Sequence, residues 1–198
     1  MKKKIIPVLI AIVLIIVVFG IAFGGKIIDR YSYSKERADL NEIYAIQDET
    51  DTAIVLQDEI IEQRAKLLDG TYYVALSTAR ELFNDRFYED AGEGLLLYTL
   101  PEAIVRTVVG TSEVSIGEEN KSFDYILSRY VGDTLYVALD YVKQYSNFSY
   151  EAFTDPNRLQ IYTSWDQRQI GYIKKDTKVR RLGGVKSEIL EDVKANDK

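Results

Sequence analysis

The side chains in this 198-residue sequence with the clearest chemistry to offer are aromatic: Tyr 15, Trp 1. Flat sugar faces stack on exposed rings, and a phenol hydroxyl adds a hydrogen bond at the ring edge. Tyr72, Tyr141, Tyr150, Tyr162 and Trp165 are the positions where such glycan stacking is expected. Tyrosine also favours strands, where its ring packs and its hydroxyl reaches water. Packing is therefore the first expectation for any single one of these tyrosines, and Tyr73 and Tyr136 read as packing residues outright.

Much other chemistry is excluded by composition. There is no histidine and no cysteine, which removes Ser-His-Asp and Cys-His nucleophiles, His-bearing zinc or copper sites and thiolate redox motifs. No glycine-rich phosphate loop occurs: Gly92-Glu93-Gly94 is followed by Leu95-Leu96-Leu97 where a helix would be needed. Asp48-Glu49-Thr50-Asp51 lacks the alternating spacing and closing glutamate of a calcium-binding loop. Paired carboxylates could still hydrolyse a glycoside, but among 31 Asp and Glu no strand-end motif singles out a pair. No catalytic residue, cofactor or metal is expected.

What would position the tyrosines is a repeat. Gly70-Thr71-Tyr72-Tyr73-Val74-Ala75-Leu76 returns about 63 positions later as Asp133-Thr134-Leu135-Tyr136-Val137-Ala138-Leu139. Each copy then closes on an apolar stretch ending in Tyr-Thr, Leu95 to Thr99 and Leu159 to Thr163. Duplication is a statement about architecture, and no acid, base or ligand cluster is duplicated with it. Asp69-Gly70 between β-forming runs predicts a hairpin. A short helix follows in each copy, with Ser77 and Asp140 as expected N-caps and apolar stripes of Ala79, Leu82, Phe83 and of Val142, Tyr145. Turns at Gly92-Glu93-Gly94 and Asp155-Pro156-Asn157 lead into the closing strands. Between the copies, residues 104–109 and 113–116 read as a strand pair around Gly110, with a turn over 117–121. The expected fold is α+β: a duplicated hairpin–helix–strand unit, mostly antiparallel, over residues 53–163.

Residues 5–23 carry no charge and follow three lysines. At about 1.5 Å per residue they reach roughly 28 Å, enough for a hydrocarbon core of about 30 Å. The run is longer than a signal-peptide core, and Phe23 would sit badly at a cleavage site. An uncleaved signal anchor over residues 1–26 is expected ahead of a cleaved leader. Lys2, Lys3 and Lys4 favour an N-terminus inside, although Lys26 and Arg30 make the far flank basic too. Residues 27–52 are then a juxtamembrane spacer, with Leu40, Ile43 and Tyr44 on one face of a short helix capped by Ser34 or Asp39. Beyond Lys4 the chain holds 22 Lys and Arg against 31 Asp and Glu. A balance of −9 argues against nucleic acid and against broad adhesion to anionic lipid. After residue 163 the chain changes character: residues 170–173 read as one more strand, and short glycine-broken strands follow in a linker and unfinished domain over 164–198.

The duplicated Asp/Gly-Thr-x-Tyr-Val-x-Leu, helix, Leu-x-x-Tyr-Thr unit resembles the copper amine oxidase N-terminal-like domain of Firmicutes surface proteins. The resemblance spans roughly residues 53–163 and implies a non-catalytic module, without copper here because histidine ligands are missing. Lys174-Lys175-Asp176-Thr177-Lys178-Val179-Arg180 through Lys198 looks like the opening of a bacterial SH3-type domain. Anchor, spacer, α+β module and SH3-type start, in that order, are similar to the N-terminal half of membrane-anchored family 18 glycoside hydrolases. The Asp-x-x-Asp-x-Asp-x-Glu motif of that family is absent, so no catalytic residue carries over.

The expectation is a single-pass cell-membrane protein with an extracytoplasmic domain that docks, without catalysis, on peptidoglycan, another wall glycan or an envelope protein. The alternative is the leading part of a truncated family 18-type hydrolase acting on wall or chitin-like polysaccharide.

Overall fold

The computed structural model describes residues 2–165 and 170–198, and their side chains apart from those of residues 2–9, 22 and 27. The chain divides into two units, Met1–Ala38 with Ile170–Lys198, and Asp39–Gln169. Residues 27–52 are thus shared between them, and residues 166–169 of the expected linker lie outside the described residues.

The larger unit is α+β and mostly antiparallel, with few and short helices. It opens with α2 (Leu40–Ile43), whose first amides, Asn41 N and Glu42 N, donate to the Asp39 carboxylate at 2.9 and 3.3 Å; of the two caps expected, Asp39 is the one used. Strands β1 (Asp51–Leu56), β2 (Glu59–Leu68) and β3 (Thr71–Ala75) follow as a meander. The β2–β3 turn is the Asp-Gly turn the sequence predicts: Asp69 and Gly70 have φ of 51° and 79°, the left-handed pair whose twist matches that of the strands.

Repetition in the sequence becomes a local twofold in space. Helix α3 (Leu76–Leu82) leaves β3 directly, as α4 (Leu139–Lys143) leaves β10 (Thr134–Ala138). β3 and β10 pair antiparallel with Val74 opposite its own repeat counterpart Val137. Tyr73 faces Ala138 and Ala75 faces Tyr136, so the axis passes between the two valines. Each helix packs against the strand of the other copy as well as its own. β9 (Ser128–Val131) flanks β10 as β2 flanks β3.

After the helices the copies part. In the first, β4 (Phe87–Asp90) and β5 (Leu95–Thr99) join β6 (Ile104–Val108), β7 (Glu113–Ile116) and β8 (Glu119–Ser122) in a five-stranded meander. In the second, β11 (Ser149–Phe153) and β12 (Arg158–Tyr162) join the seven-stranded sheet of order β11-β12-β1-β2-β3-β10-β9, with β12 parallel to β1. Buried residues from both sheets and both helices form one apolar cluster.

Three local expectations are corrected. Each repeat is hairpin–helix–hairpin: β4 and β11 carry acidic residues within only four or five positions, too short a run for alternation to register. β8 occupies positions expected as turn, because all four of its side chains are exposed. Ser77 and Asp140 are not N-caps. Ala75 and Ala138 hold that place with no side-chain bond, since each strand bends straight into its helix.

In the smaller unit α1 (Lys2–Tyr31) is followed by an extended stretch beside a two-stranded sheet, β13 (Thr177–Arg180) and β14 (Ile189–Val193). Ile189 N donates to Glu36 O at 2.8 Å and Ala38 N to Ile189 O at 2.9 Å. Residues 170–173 form no strand, in contrast to the expectation; Ile173 instead exchanges backbone bonds with Asn196 and Asp197 in a loop. Among the described residues no single helix is long and apolar enough to cross a membrane. Two pieces, Ile10–Ile21 and Phe23–Tyr31, meet that standard together across a bend of 42°.

Candidate functional site

Of the five aromatic positions singled out from the sequence, the structure brings two together. Tyr72 on β3 and Tyr150 on β11 meet edge to face, ring centroids 6.4 Å apart, although their strands lie at separate places in the seven-stranded order. The sheet must curl for this contact to form. Both rings are half-buried.

Around this pair stand groups the sequence did not mark. The Tyr150 hydroxyl donates to Asp140 Oδ1 at 2.8 Å, and Lys143 Nζ lies 5.3 Å from the Tyr150 ring centroid. Asp140 and Lys143 sit three positions apart on α4 and so share a helix face. Tyr125 stands beside the pair, half-buried, within electrostatic reach of Asp140 and Tyr150 and with the Gln144 side chain near its hydroxyl. Burial first, then the Asp140 carboxylate, pushes the Tyr125 phenol up to about 12. Burial and the bond to Asp140 push Tyr150 up as well. Both phenols are therefore neutral donors at physiological pH. The result is a partly covered aromatic surface with a carboxylate, an ammonium and an amide at its edge. It can stack on a pyranose and bond its hydroxyls.

The other candidates stand apart. Tyr141 is 1% exposed. Phe87, Phe123 and Tyr145 surround it at centroid distances of 6.2, 5.9 and 5.4 Å, and burial drives its hydroxyl well above the ordinary tyrosine range. It cannot stack on a sugar, and its assignment as a glycan contact is withdrawn. The repeat held the clue: Tyr141 corresponds to Thr78, which is buried too. Tyr162 is half-buried on β12 opposite Ser149. Trp165 is 45% exposed at the end of the described segment.

The acidic loop at Asp48 and Asp51 is already served by a cation. Lys66 Nζ donates to Asp48 Oδ2 at 3.1 Å and to Asp51 Oδ1 at 2.5 Å. Asp48 Oδ1 also accepts from Thr50 N at 2.8 Å and Asp51 N at 3.0 Å. Among the described residues no group of three or more acidic side chains is arranged to hold a metal ion. No family model, curated protein or solved structure matches this chain.

Proposed function

We propose that this chain is a membrane-anchored, extracytoplasmic, non-catalytic module that docks on wall glycan through the Tyr72–Tyr125–Tyr150 surface. The observation that carries the reading is the exposure of α1: five consecutive residues, Ile12, Val13, Leu14, Ile15 and Ile16, are all open to the surroundings. Positions spaced in this way point around the whole circumference of a helix. Apolar surface of that extent is covered in the cell by lipid or protein, and the two helical pieces have the length and composition for a bent span. Support for the glycan half comes from the α4 face, where Asp140 and Lys143 border the paired rings of Tyr72 and Tyr150. The resemblance to Firmicutes surface modules agrees with both halves.

The test has two parts. The full chain should float with membranes after carbonate washing, and Val13→Arg with Ile16→Arg should release it, because each arginine costs about 2.5–3.5 kcal/mol at a span centre. Sedimentation with purified peptidoglycan should show binding that Tyr72→Ala weakens by about tenfold, roughly 1.4 kcal/mol. Tyr162→Ala should leave it unchanged. Equal binding by wild type and Tyr72→Ala would remove this surface from the proposal.

A further inference from the structure

Charge along this chain is segregated. Residues 1–38 and 170–198 carry 15 Lys and Arg against 7 Asp and Glu, whereas residues 39–169 carry 10 against 24. The overall −6 is therefore a +8 unit joined to a −14 unit. Beyond Lys4, on the side of the anchor where the domain lies, the balance of −9 is a +5 part joined to the −14 unit, so the acidic charge that disfavours anionic lipid belongs to the larger unit alone.

In the smaller unit the basic side chains converge on a cavity of about 770 Å³, whose charged lining consists of Lys35, Arg37, Lys178 and Arg180, with Tyr33 and Ile189 as apolar wall. Arg180 is fixed in place: Nη1 donates to Ser187 O at 2.5 Å, Nη2 to Ser34 O at 3.1 Å, and its guanidinium stands 5.3 Å from the Tyr33 ring centroid. Arg37 and Lys178 both donate to Asp192, which gathers the two heads and cancels one charge. Glu188 is engaged by Arg181 at 3.4 Å. Lys35 makes no ion pair among the described residues. Four cations thus face one cavity with a single carboxylate bonded to them. A concave site of that sign selects an anion, and guanidinium beside ammonium is the donor set that suits a phosphate.

Position decides which phosphate. Tyr33 lies two residues past the last residue of α1, Tyr31, and Arg37 six past it. At no more than about 3.5 Å per residue these groups stay within roughly 20 Å of the helix end, the depth of a headgroup layer and the water next to it. We propose that this cavity binds the phosphodiester headgroup of an anionic lipid in the leaflet from which the chain emerges, with Tyr33 and Ile189 against the glycerol. The proposal rests on α1 being the anchor.

The experiment keeps the two readings apart. The full chain is mixed with vesicles of phosphatidylcholine alone, and with vesicles of phosphatidylcholine and phosphatidylglycerol in equal parts. Flotation with the first vesicles reports the anchor; failure to float there sinks the anchor and this proposal with it. Hydrogen exchange of the amides of residues 34–37 and 177–180 in floated protein reports the headgroup. We expect these amides to exchange at least about fivefold more slowly with phosphatidylglycerol present, the scale of one basic contact at an anionic surface. Molar salt should abolish the difference. Lys35→Gln and Lys178→Gln should each reduce it, and the former touches no hydrogen bond of the fold. Floated protein with equal exchange in both vesicles would overturn the headgroup site. So would equal slowing by free glycerol phosphate over phosphatidylcholine, which would reassign the cavity to a soluble phosphate.

Discussion

Phe87→Ala is expected to lower the stability of the larger unit by about 3–5 kcal/mol, a large share of the 5–15 kcal/mol that holds a typical domain together. Phe87 has no exposed surface. Its ring lies 4.7 Å from that of Tyr98, 5.9 Å from Tyr145 and 6.2 Å from Tyr141, centroid to centroid. These rings come from β4 and β5 of the first copy and from α4 and the loop after it in the second. Asn84 ties the same pieces by donating to Tyr145 O at 2.6 Å and to the Tyr98 hydroxyl at 3.1 Å. Removing the phenyl group leaves a hole that three rigid aromatic neighbours cannot collapse to fill, so the cost belongs at the upper end of the range for such truncations. The melting temperature should fall by roughly 10–20 °C. Tyr88→Ala is the control. Tyr88 is the next residue of the same strand, points the other way, is 46% exposed and has Arg80 over its ring at 5.2 Å; its loss should cost no more than about 1 kcal/mol. Near-ultraviolet circular dichroism through a urea titration of both variants gives the comparison. Equal losses would mean that β4 does not divide core from surface as described.

The repeat made strands β2, β3, β10 and β9 legible, because Val74 and Val137 could be aligned before any geometry was known, and their alignment is the local twofold. The flanking hairpins were not legible in the same way. Sequence similarity between the copies returns in β5 and β12 but is missing in β4 and β11; the two hairpins join different sheets, and the parallel pairing of β1 with β12 links residues more than a hundred positions apart. Nothing local encodes such a contact. The site was half legible for a related reason. Aromatic type pointed to Tyr72 and Tyr150, but type alone could not separate them from Tyr141. That distinction follows from helix α4 being covered on two sides, by the central strands and by the first copy's β4–β5 hairpin, which hides residues on a wider arc than an apolar stripe marks. Asp140 was read as a cap because its type suits one. In the structure it serves Tyr150 instead, since the helix begins two residues earlier than capping chemistry suggests.

Lys66→Met is expected to destabilise the larger unit by about 2–4 kcal/mol, although it removes one charge from an acidic unit and keeps most of the side chain's bulk. Lys66 pairs across the ladder with Asp51, and their side chains are 16% and 7% exposed. Without the ammonium the Asp51 carboxylate keeps only the Gln47 amide, which donates to it at 3.0 Å. An uncompensated buried charge costs more than a buried pair gains. Asp51→Asn combined with Lys66→Met should therefore recover much of the loss, because no charge is then stranded. Acid and base limbs should identify the same cluster. The Thr50 hydroxyl first, and the Lys66 ammonium second, hold the Asp48 carboxyl well below the usual carboxylate range. A depressed carboxyl stabilises the fold fully above its unfolded value of about 3.9, and that contribution drains away as the pH falls below it. Burial works to lower the Lys66 value, but its bonds to Asp51 and Asp48 prevail and raise it. A raised amine stabilises below its unfolded value of about 10.4 and loses that contribution as the pH climbs through the folded one. Wild-type stability should thus hold level between about pH 5 and 10 and decline on either side, as far as this cluster governs it. In Lys66→Met the alkaline decline should shrink and the acid decline should soften. Urea midpoints taken across that range decide the matter: parallel profiles for wild type and variant would show that the three side chains are neighbours without being energetically coupled.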